Sequence, residues 1–348
     1  MTPAGKRKRE ALEIAQRISD EFVSRTIEGS DKYGNNYEVE LAYEALLQLG
    51  LHQDVVENYL RAEGMLNPSF AKNWIYQLFH DIAYPWFETT HQLPEFTAAY
   101  RQITDQWMNE AVRRDSGTIT YYGPQKYLGS LIDMLQAYMI RLCRTAKLTG
   151  DRAYAEAAVN QYRLYRIELR NKASGCFHQG KGWFENDGLS PLPWSRGQGW
   201  IVHGLIHCLP LLKIYPDLHD ELHVYFVELA TDLVRWQTPS GFWNQLIDHP
   251  QDSYPDTSGT ALIFEALQLG VQYGYLEEAV FGEPAKKAWN ILKQQVDEHG
   301  VVDQACKGPG TIFEIGPWLN TLAPKGEPHG IFSMLFACQA ILFDPDKI

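Results

Sequence analysis

The residues best suited to recognise a carbohydrate lie in the segment Trp194-Ser-Arg-Gly-Gln-Gly-Trp200. Tryptophan rings are broad amphipathic surfaces that can stack on sugar faces, and the planar guanidinium of Arg196 fits a carboxylate. Trp183 belongs to the same glycine- and aromatic-rich stretch, residues 182–200. Because a core helix has no need for such a stretch, we predict a loop that forms a carbohydrate site; for any single tryptophan, packing in the core is the alternative.

Asp133 is the candidate for proton transfer. It lies at or near the start of a long apolar helix, just past a glycine-containing loop, and a positioned carboxyl group can act as a general acid. On pattern alone, a carboxylate at a helix start is also commonly a cap or a partner of the helix dipole. His178 occupies the polar position of the next loop, where it either binds substrate or stabilises the loop with a hydrogen bond.

A second dense stretch, residues 241–259, adds candidates on the same rim. Its polar and aromatic residues Asn244, Gln245 and Tyr254 could contact a sugar. Asp256 directly precedes an apolar helix, which predicts a helix N-cap.

The sequence shows no metal-ligand spacing such as H-E-x-x-H and no phosphate-binding glycine loop. His203 and His207 have helical spacing, so we interpret them as helix packing. We therefore predict neither a metal nor a cofactor.

Helical periodicity dominates the elements that must position these residues. Five loops share the pattern glycine, two mostly apolar residues and a polar residue, beginning at Gly64, Gly117, Gly175, Gly241 and Gly300. Their period of about 60 residues accommodates two helices. With one further helix pair at the start, the pattern predicts six hairpins in one all-α domain, residues 1–348, that closes into a toroid; an open helical solenoid is the alternative.

Composition and charge limit the possible partners. The chain has 348 residues and a formal net charge of −12, which argues against nucleic acid and anionic membrane surfaces. No apolar run approaches the length of a membrane span and the first residues lack a secretion signal, so we expect a cytoplasmic protein. The five scattered cysteines are expected to be free thiols. Oligomeric state is not predicted.

Three motifs in order resemble known enzymes. Trp194–Trp200 resembles the W-x-R-G-N-G-W signature of glycoside hydrolase family 105 and the W-x-R-G-Q-x-W of the related family 88. Leu131-Ile-Asp133-Met, with Leu148-Thr-Gly-Asp151 downstream, resembles the catalytic-aspartate helix of both. Residues 241–259 are similar to a third family 105 stretch, and His329-Gly330 also fits. Gln198 leans toward family 88, and Met134 replaces a second acidic residue common in these families.

The resemblance implies a single-domain (α/α)6 barrel and removal of a terminal 4,5-unsaturated uronic acid from lyase-generated oligosaccharides, most naturally of the rhamnogalacturonan type. The implied reaction is hydration of the C4=C5 vinyl ether, with Asp133 as the acid and no cofactor. His178 matches the families' active-site histidine. Trp194, Arg196 and Trp200 would form the subsite for the unsaturated sugar.

Three alternatives remain open at this point. A conventional inverting glycosidase would pair Asp133 with a second carboxylate such as Asp187 or Asp256. A sugar epimerase would use paired histidines as acid and base. A non-catalytic carbohydrate-binding toroid would keep the tryptophans and Arg196 but would not depend on Asp133.

Overall fold

The computed structural model describes residues 2–27, 37–66, 82–90, 93–120, 129–182, 187–308 and 314–344. These residues are mostly helical, with one two-stranded antiparallel sheet and a 3₁₀ turn at Lys293–Gln295. The helices are α1 (Pro3–Ile27), α2 (Tyr37–Leu49), α3 (Gln53–Ala62), α4 (Ala83–Thr89), α5 (Leu93–Glu110), α6 (Ile132–Thr149), α7 (Arg152–Leu169), α8 (Ser195–Leu212), α9 (Pro216–Arg235), α10 (Thr257–Gln272), α11 (Glu278–Leu292), α12 (Ile315–Leu319) and α13 (Pro328–Leu342). The strands are β1 (Ser130–Leu131) and β2 (Gly180–Lys181).

Helix ends are set by local sequence signals. Gly150 ends α6 in the left-handed conformation with φ of 69°, which costs glycine nothing. The Asp151 carboxylate then accepts a hydrogen bond from the Ala153 amide at 3.0 Å and caps α7. The two neighbouring residues thus end one helix and begin the next.

The helices form two concentric layers. In the inner layer α6 packs on α8, α8 on α10, α10 on α13, and α13 on α2, while α4 contacts α2. The outer helices α1, α5, α7, α9 and α11 each pack against an inner neighbour, and α3 packs on α2. In the part of the chain that the structure describes, six outer and six inner helices alternate, with the short α12 inside the last long loop. The predicted six-hairpin toroid is confirmed.

The two ends of the ring differ sharply. The loops that lead from α5, α7, α9 and α11 into the next inner helix are each at least 21 residues long, whereas the return connections after α2, α6, α8 and α10 have two to five. The five repeat glycines all have positive φ, between 72° and 102°. All long loops therefore meet at the end where the inner helices begin, which is the end that carries Asp133.

The loop predicted for residues 182–200 is wrong at its C-terminal part, because α8 begins at Ser195. The glycines there serve helix packing rather than a turn. A Cβ at Gly199 would lie 2.8 Å from Leu262 Cβ on α10, and one at Gly197 would lie 3.3 Å from Ile132 on α6. Such spacing is too tight for larger residues in a close-packed interior.

Gly204 on α8 offers a test of this packing. A Cβ there would lie 2.8 Å from the Gln136 Cβ and 2.9 Å from its Cα, so Gly204→Ala must push α6 and α8 apart. We expect the free energy of unfolding to fall by about 1–3 kcal/mol. Gly316→Ala is the control, because nothing lies within 4 Å of its added Cβ. Chemical denaturation measures both variants, and equal stability would contradict the packing argument.

The structure also bears on the predictions for the cysteines and for membrane spans. All five cysteines are free and buried, as predicted. Within the described residues, no helix combines the length and apolar character that crossing a membrane requires.

Candidate active site

Asp133 lies in the first turn of α6, at the end of the ring where the long loops gather. The two-residue sheet fixes this helix start, since β1 pairs with β2 from the loop after α7. The Ile132 amide also donates to the Gln179 carbonyl oxygen at 2.9 Å. The Asp133 Oδ2 atom is buried and has no hydrogen-bond partner among the described residues. The backbone that carries Asp133 is thus fixed by hydrogen bonds, while one oxygen of its carboxyl group has no partner among the described residues.

Burial raises the pKa of Asp133 from its ordinary value to about 6. The nearby Arg196 guanidinium acts in the opposite direction and lowers it, as do the helix-start amide and the Trp200 indole. Desolvation disfavours the ionised form more than these neighbours favour it. About half of this carboxyl group is therefore protonated near pH 6, which suits a general acid in mildly acidic solution.

Arg196 is fully buried in the first turn of α8. Its Nη1 atom donates to Ser258 Oγ at 2.9 Å and to the Cys306 carbonyl oxygen, and its guanidinium lies 4.3 Å from the Trp194 ring centroid. Its Nε and Nη2 atoms are buried and have no partner among the described residues. A buried cation with free donors is costly unless an acceptor arrives.

Asp256 links the start of α8, which carries Arg196, to the start of α10. Its carboxylate accepts hydrogen bonds from the backbone amides of Ser258, Gly259 and Cys306, at 2.9–3.1 Å, and from the hydroxyl groups of Ser195 and Ser258 at 2.8 Å. The predicted N-cap is confirmed. With five donors already bound, this carboxylate has a structural role in fixing the starts of α8 and α10.

Asp187 is the other candidate for a second catalytic carboxylate, and its side chain is engaged in ion pairs. It is exposed and pairs with Arg114 and Lys181. The Arg114 hydrogen bond lowers the pKa of Asp187 below its ordinary value. Neither Asp187 nor Asp256 therefore resembles a poised catalytic acid.

Three buried tryptophans lie around the starts of α8 and α12. Trp194 immediately precedes α8, Trp200 lies in its second turn, and Trp318 belongs to α12. The Trp194 and Trp318 rings are 5.8 Å apart, and Trp200 stacks on Phe332 of α13. The Trp200 indole lies close enough to the Asp133 carboxyl group to lower its pKa, and among the described residues none of the three Nε1 atoms makes a hydrogen bond of normal geometry. Trp183 lies outside the described residues.

His178 lies in the loop between α7 and α8, next to Gln179. Its Nδ1 is 2.6 Å from the Ser190 carbonyl oxygen, and its ring is half-buried. An Nδ1–H donated to that carbonyl leaves Nε2 as an acceptor. The loop-stabilising bond and a substrate-binding role are therefore compatible in this side chain.

The three candidates from residues 241–259 divide into different roles. The Asn244 amide donates to the carbonyl oxygens of Pro250 and Ser253, at 2.9 and 2.8 Å, and closes its own loop. Gln245 donates to the Trp318 carbonyl oxygen at 3.0 Å, while its buried Oε1 has no partner among the described residues. The Tyr254 hydroxyl lies 3.4 Å from the Leu322 carbonyl oxygen. Of the three, Gln245 is the one with an unused buried polar atom.

Sequence reasoning missed a hydrogen-bonded chain that starts at Glu327. The Glu327 carboxylate accepts from His329 Nδ1 at 2.8 Å, and His329 Nε2 is 2.5 Å from the Tyr37 hydroxyl. Burial lowers the pKa of His329 and raises the pKa of Tyr37, so the Tyr37 hydroxyl donates a hydrogen bond to the neutral imidazole and keeps its proton. Tyr37 interacts with the charges of both Arg196 and Asp133. Only the Glu327-Pro-His329 cap pattern hinted at this group.

Taken together, the end of the ring places buried donors near the Asp133 carboxyl group. It also holds the carboxylates of Asp256 and Glu327, and that of Glu38 on α2, whose Oε1 lies 3.4 Å from His329 Nε2. Arg196 and the three indoles supply N–H groups, and Gln245 supplies an acceptor. This combination suits a ligand that is rich in oxygen and carries a negative charge. A protonated Asp133 beside such a ligand could transfer a proton to it.

The chain also matches a known protein family. A sequence model described as Glycosyl Hydrolase Family 88 matches residues 61–336. The chain belongs to Glycosyl Hydrolase Family 88. That assignment confirms the resemblance seen in the motifs around Asp133 and Arg196.

Two curated relatives of this family 88 chain have related names. The unsaturated 3S-rhamnoglycuronyl hydrolase of Alteromonas sp. (strain LOR) is 27% identical over 177 residues, covering 48% of this chain and 42% of the relative. The unsaturated rhamnogalacturonyl hydrolase YesR of Bacillus subtilis (strain 168) is 22% identical over 192 residues, covering 55% and 53%. The matched stretch thus spans about half the length of each relative.

Solved structures support the fold. The family 105 glycoside hydrolase of C. acetobutylicum ATCC 824 superposes with a TM-score of 0.76 at 18% identity, covering 94% of this chain and 98% of that one. At this identity the likeness concerns the fold alone.

Gln198 shows how the family 88 form of the motif works here. Its side chain accepts from the Phe177 amide and donates to the Phe177 carbonyl oxygen, both at 2.8 Å. This clamp fixes the backbone directly before His178. A side chain at the position where family 105 carries asparagine therefore orients the loop that bears a candidate substrate ligand.

Proposed function

We propose that this family 88 chain hydrolyses the terminal 4,5-unsaturated uronic acid from oligosaccharides produced by polysaccharide lyases. The observation that carries the proposal is the Asp133 carboxyl group, whose pKa is raised to about 6 and which interacts with the charge of buried Arg196. Arg196 Nε and Nη2 have no partner among the described residues. The anionic sugar would accept hydrogen bonds from those donors. The names of the two curated relatives support the substrate class.

In the proposed mechanism, Asp133 donates its proton to C4 of the vinyl ether, and positive charge develops at C5 and the ring oxygen. Water attacks C5 and returns a proton to the Asp133 carboxylate, so the residue acts first as acid and then as base. The resulting hemiketal opens at the C5–O bond, and the hemiacetal at C1 releases the aglycon. The net reaction consumes one water molecule, and the proposal invokes no cofactor.

The site residues take distinct parts in this proposal. Arg196 binds the uronic carboxylate through Nε and Nη2, Trp194 and Trp200 enclose the ring, and His178 contacts a sugar hydroxyl from the loop. Gln245 offers Oε1 to another hydroxyl group. Asn244 and Tyr254 shape the rim rather than bind directly, since their polar atoms already face backbone carbonyls.

The conventional inverting glycosidase is disfavoured by the surroundings of its two candidate acids. Asp256 is saturated by five hydrogen bonds, and Asp187 is exposed in ion pairs. An epimerase with His203 and His207 is disfavoured because both rings bond to Glu265, at 2.7 and 2.9 Å. A non-catalytic toroid would not need the raised pKa of Asp133.

An absorbance assay tests the proposed reaction. The protein is incubated with unsaturated disaccharides from pectin, glycosaminoglycan and ulvan lyase digests, and with the saturated analogue of each. We expect the ultraviolet absorbance of the conjugated double bond to disappear, first with rhamnogalacturonan-type substrates. Because Asp133 must carry a proton, kcat/KM should fall as the pH rises through about 6. Sugar release from saturated analogues alone would overturn the proposal.

A further inference from the structure

A cluster of metal-ligand side chains lies below the candidate active site, on the inner helices α8 and α10. We propose that His203, His207 and Glu265 bind one divalent transition-metal cation, with zinc as the best fit. Two imidazoles and one carboxylate form a common zinc ligand set that leaves a fourth position open. This site is separate from the reaction proposed for Asp133.

The geometry places the three ligands around one point. His203 Nδ1 is 2.7 Å from Glu265 Oε2, and His207 Nε2 is 2.9 Å from Glu265 Oε1. The three possible ligand atoms lie within 4.8 Å of one another. Zinc with bonds of about 2.0–2.2 Å spaces tetrahedral ligands by about 3.3 Å, so each atom needs to move by about 1 Å or less. The two histidines are one helical turn apart and therefore share a face of α8.

The charges of the cluster also suit a cation. Glu265 is fully buried, and each of its two carboxylate oxygens faces an imidazole nitrogen, of His203 or of His207. A metal ion would take the place of the protons that these nitrogens share with the carboxylate. A buried carboxylate needs a positive partner, and either an imidazolium or a metal ion can supply it.

The neighbouring charged groups are compatible with either partner. Glu44 on α2 is a charged group near His207, and its carboxylate pairs with Arg144 of α6 at 2.8 Å. These two charges offset each other. The charge that a bound ion would balance is thus the one on Glu265.

The cluster is accessible from the end of the ring opposite the active site. His207 lines a cavity of about 660 Å³, together with residues that include Arg144 and Gln272. On the other side, the His203 ring lies edge-on to Trp200 with centroids 6.3 Å apart. A bound ion would therefore enter beside His207 and cross-link α8 to α10 directly beneath the tryptophan of the active site.

The test uses the untagged full chain, stripped with a chelator and dialysed. Zn²⁺ or Co²⁺ alone is titrated in, followed by calorimetry and by the visible absorption of bound Co²⁺. We expect one ion per chain and a melting temperature that rises by several degrees with excess metal. His207→Gln keeps a hydrogen-bond donor for Glu265 but removes the ligand, so affinity should fall about 100-fold or more.

His223→Gln is the matched control, because His223 is also half-buried on a helix but bonds to the Tyr275 carbonyl oxygen. It should bind metal like the wild type. Asp133→Asn should also bind metal normally, which keeps this result independent of the proposed activity. Failure of the wild-type chain to take up metal, or equal uptake by His207→Gln, would overturn the site and leave a hydrogen-bonded triad.

Discussion

Asp133→Asn is expected to reduce turnover of unsaturated disaccharides by about 10³–10⁴-fold, because asparagine has no proton to donate to C4. The shape of the side chain is nearly unchanged, so the fold should persist. Asp187→Asn is the control, since that exposed acid pairs with Arg114 and Lys181 and should keep most of the activity. An Asp133→Asn protein with wild-type turnover would remove the assignment.

The same substitution should stabilise the protein at neutral pH. Because the folded-state pKa of Asp133, about 6, exceeds its ordinary value, the wild type loses stability as the pH rises from about 4 through 6. The Asp133→Asn protein has no carboxylate to bury, so above that window its free energy of unfolding should exceed that of the wild type by up to about 3 kcal/mol. Below pH about 4 the two proteins should be equally stable. Melting temperatures at pH 4 and pH 8 measure the difference. An equal gain at both pH values would contradict a buried, protonated carboxyl group.

Arg196→Gln has the second large expected effect. Loss of the buried guanidinium removes the proposed carboxylate ligand, and we expect kcat/KM to fall by about 10²–10³-fold. The Arg196 charge also lowers the pKa of Asp133. Without it, that pKa should rise, and the alkaline limb of the pH profile should move to higher pH. An alkaline limb that stays in place or moves to lower pH would contradict the charge coupling between Arg196 and Asp133.

Two further variants separate the effect of the positive charge of Arg196 from the effect of its planar, two-donor guanidinium. Arg196→Lys keeps the positive charge but loses the planar pair of donors, so the alkaline limb should stay near that of the wild type while KM rises. Arg141→Gln is the matched control, because Arg141 is also buried, at 2% exposure, and bonds to Thr104 away from Asp133. It should destabilise the fold without moving the pH profile.

Much of the architecture could be predicted because its signals are local. The repeat glycines mark the turns after outer helices, since only glycine adopts positive φ without strain. Asp151 and Asp256 cap helices with their own side chains. The position of Asp133 at a helix start followed from the same periodicity. These features depend on residues a few positions apart, which the sequence displays directly.

The predictions from sequence failed where contacts between residues far apart in the chain determine the structure. The glycines of the Trp194–Trp200 motif look like a loop in sequence, but α8 incorporates them because α6 and α10 approach too closely for larger side chains. The chain Glu327–His329–Tyr37 joins opposite ends of the polypeptide. Such pairs have no sequence spacing that could reveal them.

The sequence by itself determined the helical hairpins, their caps, and the residue types at the mouth of the ring. Only the closed ring decided which groups meet. It buries Asp133 beside Arg196 and so shifts a pKa, it saturates Asp256 with five donors, and it brings Glu265 against His203 and His207. The physical reason is that burial and charge coupling depend on distances through space, which are fixed when the inner helices pack around a common axis.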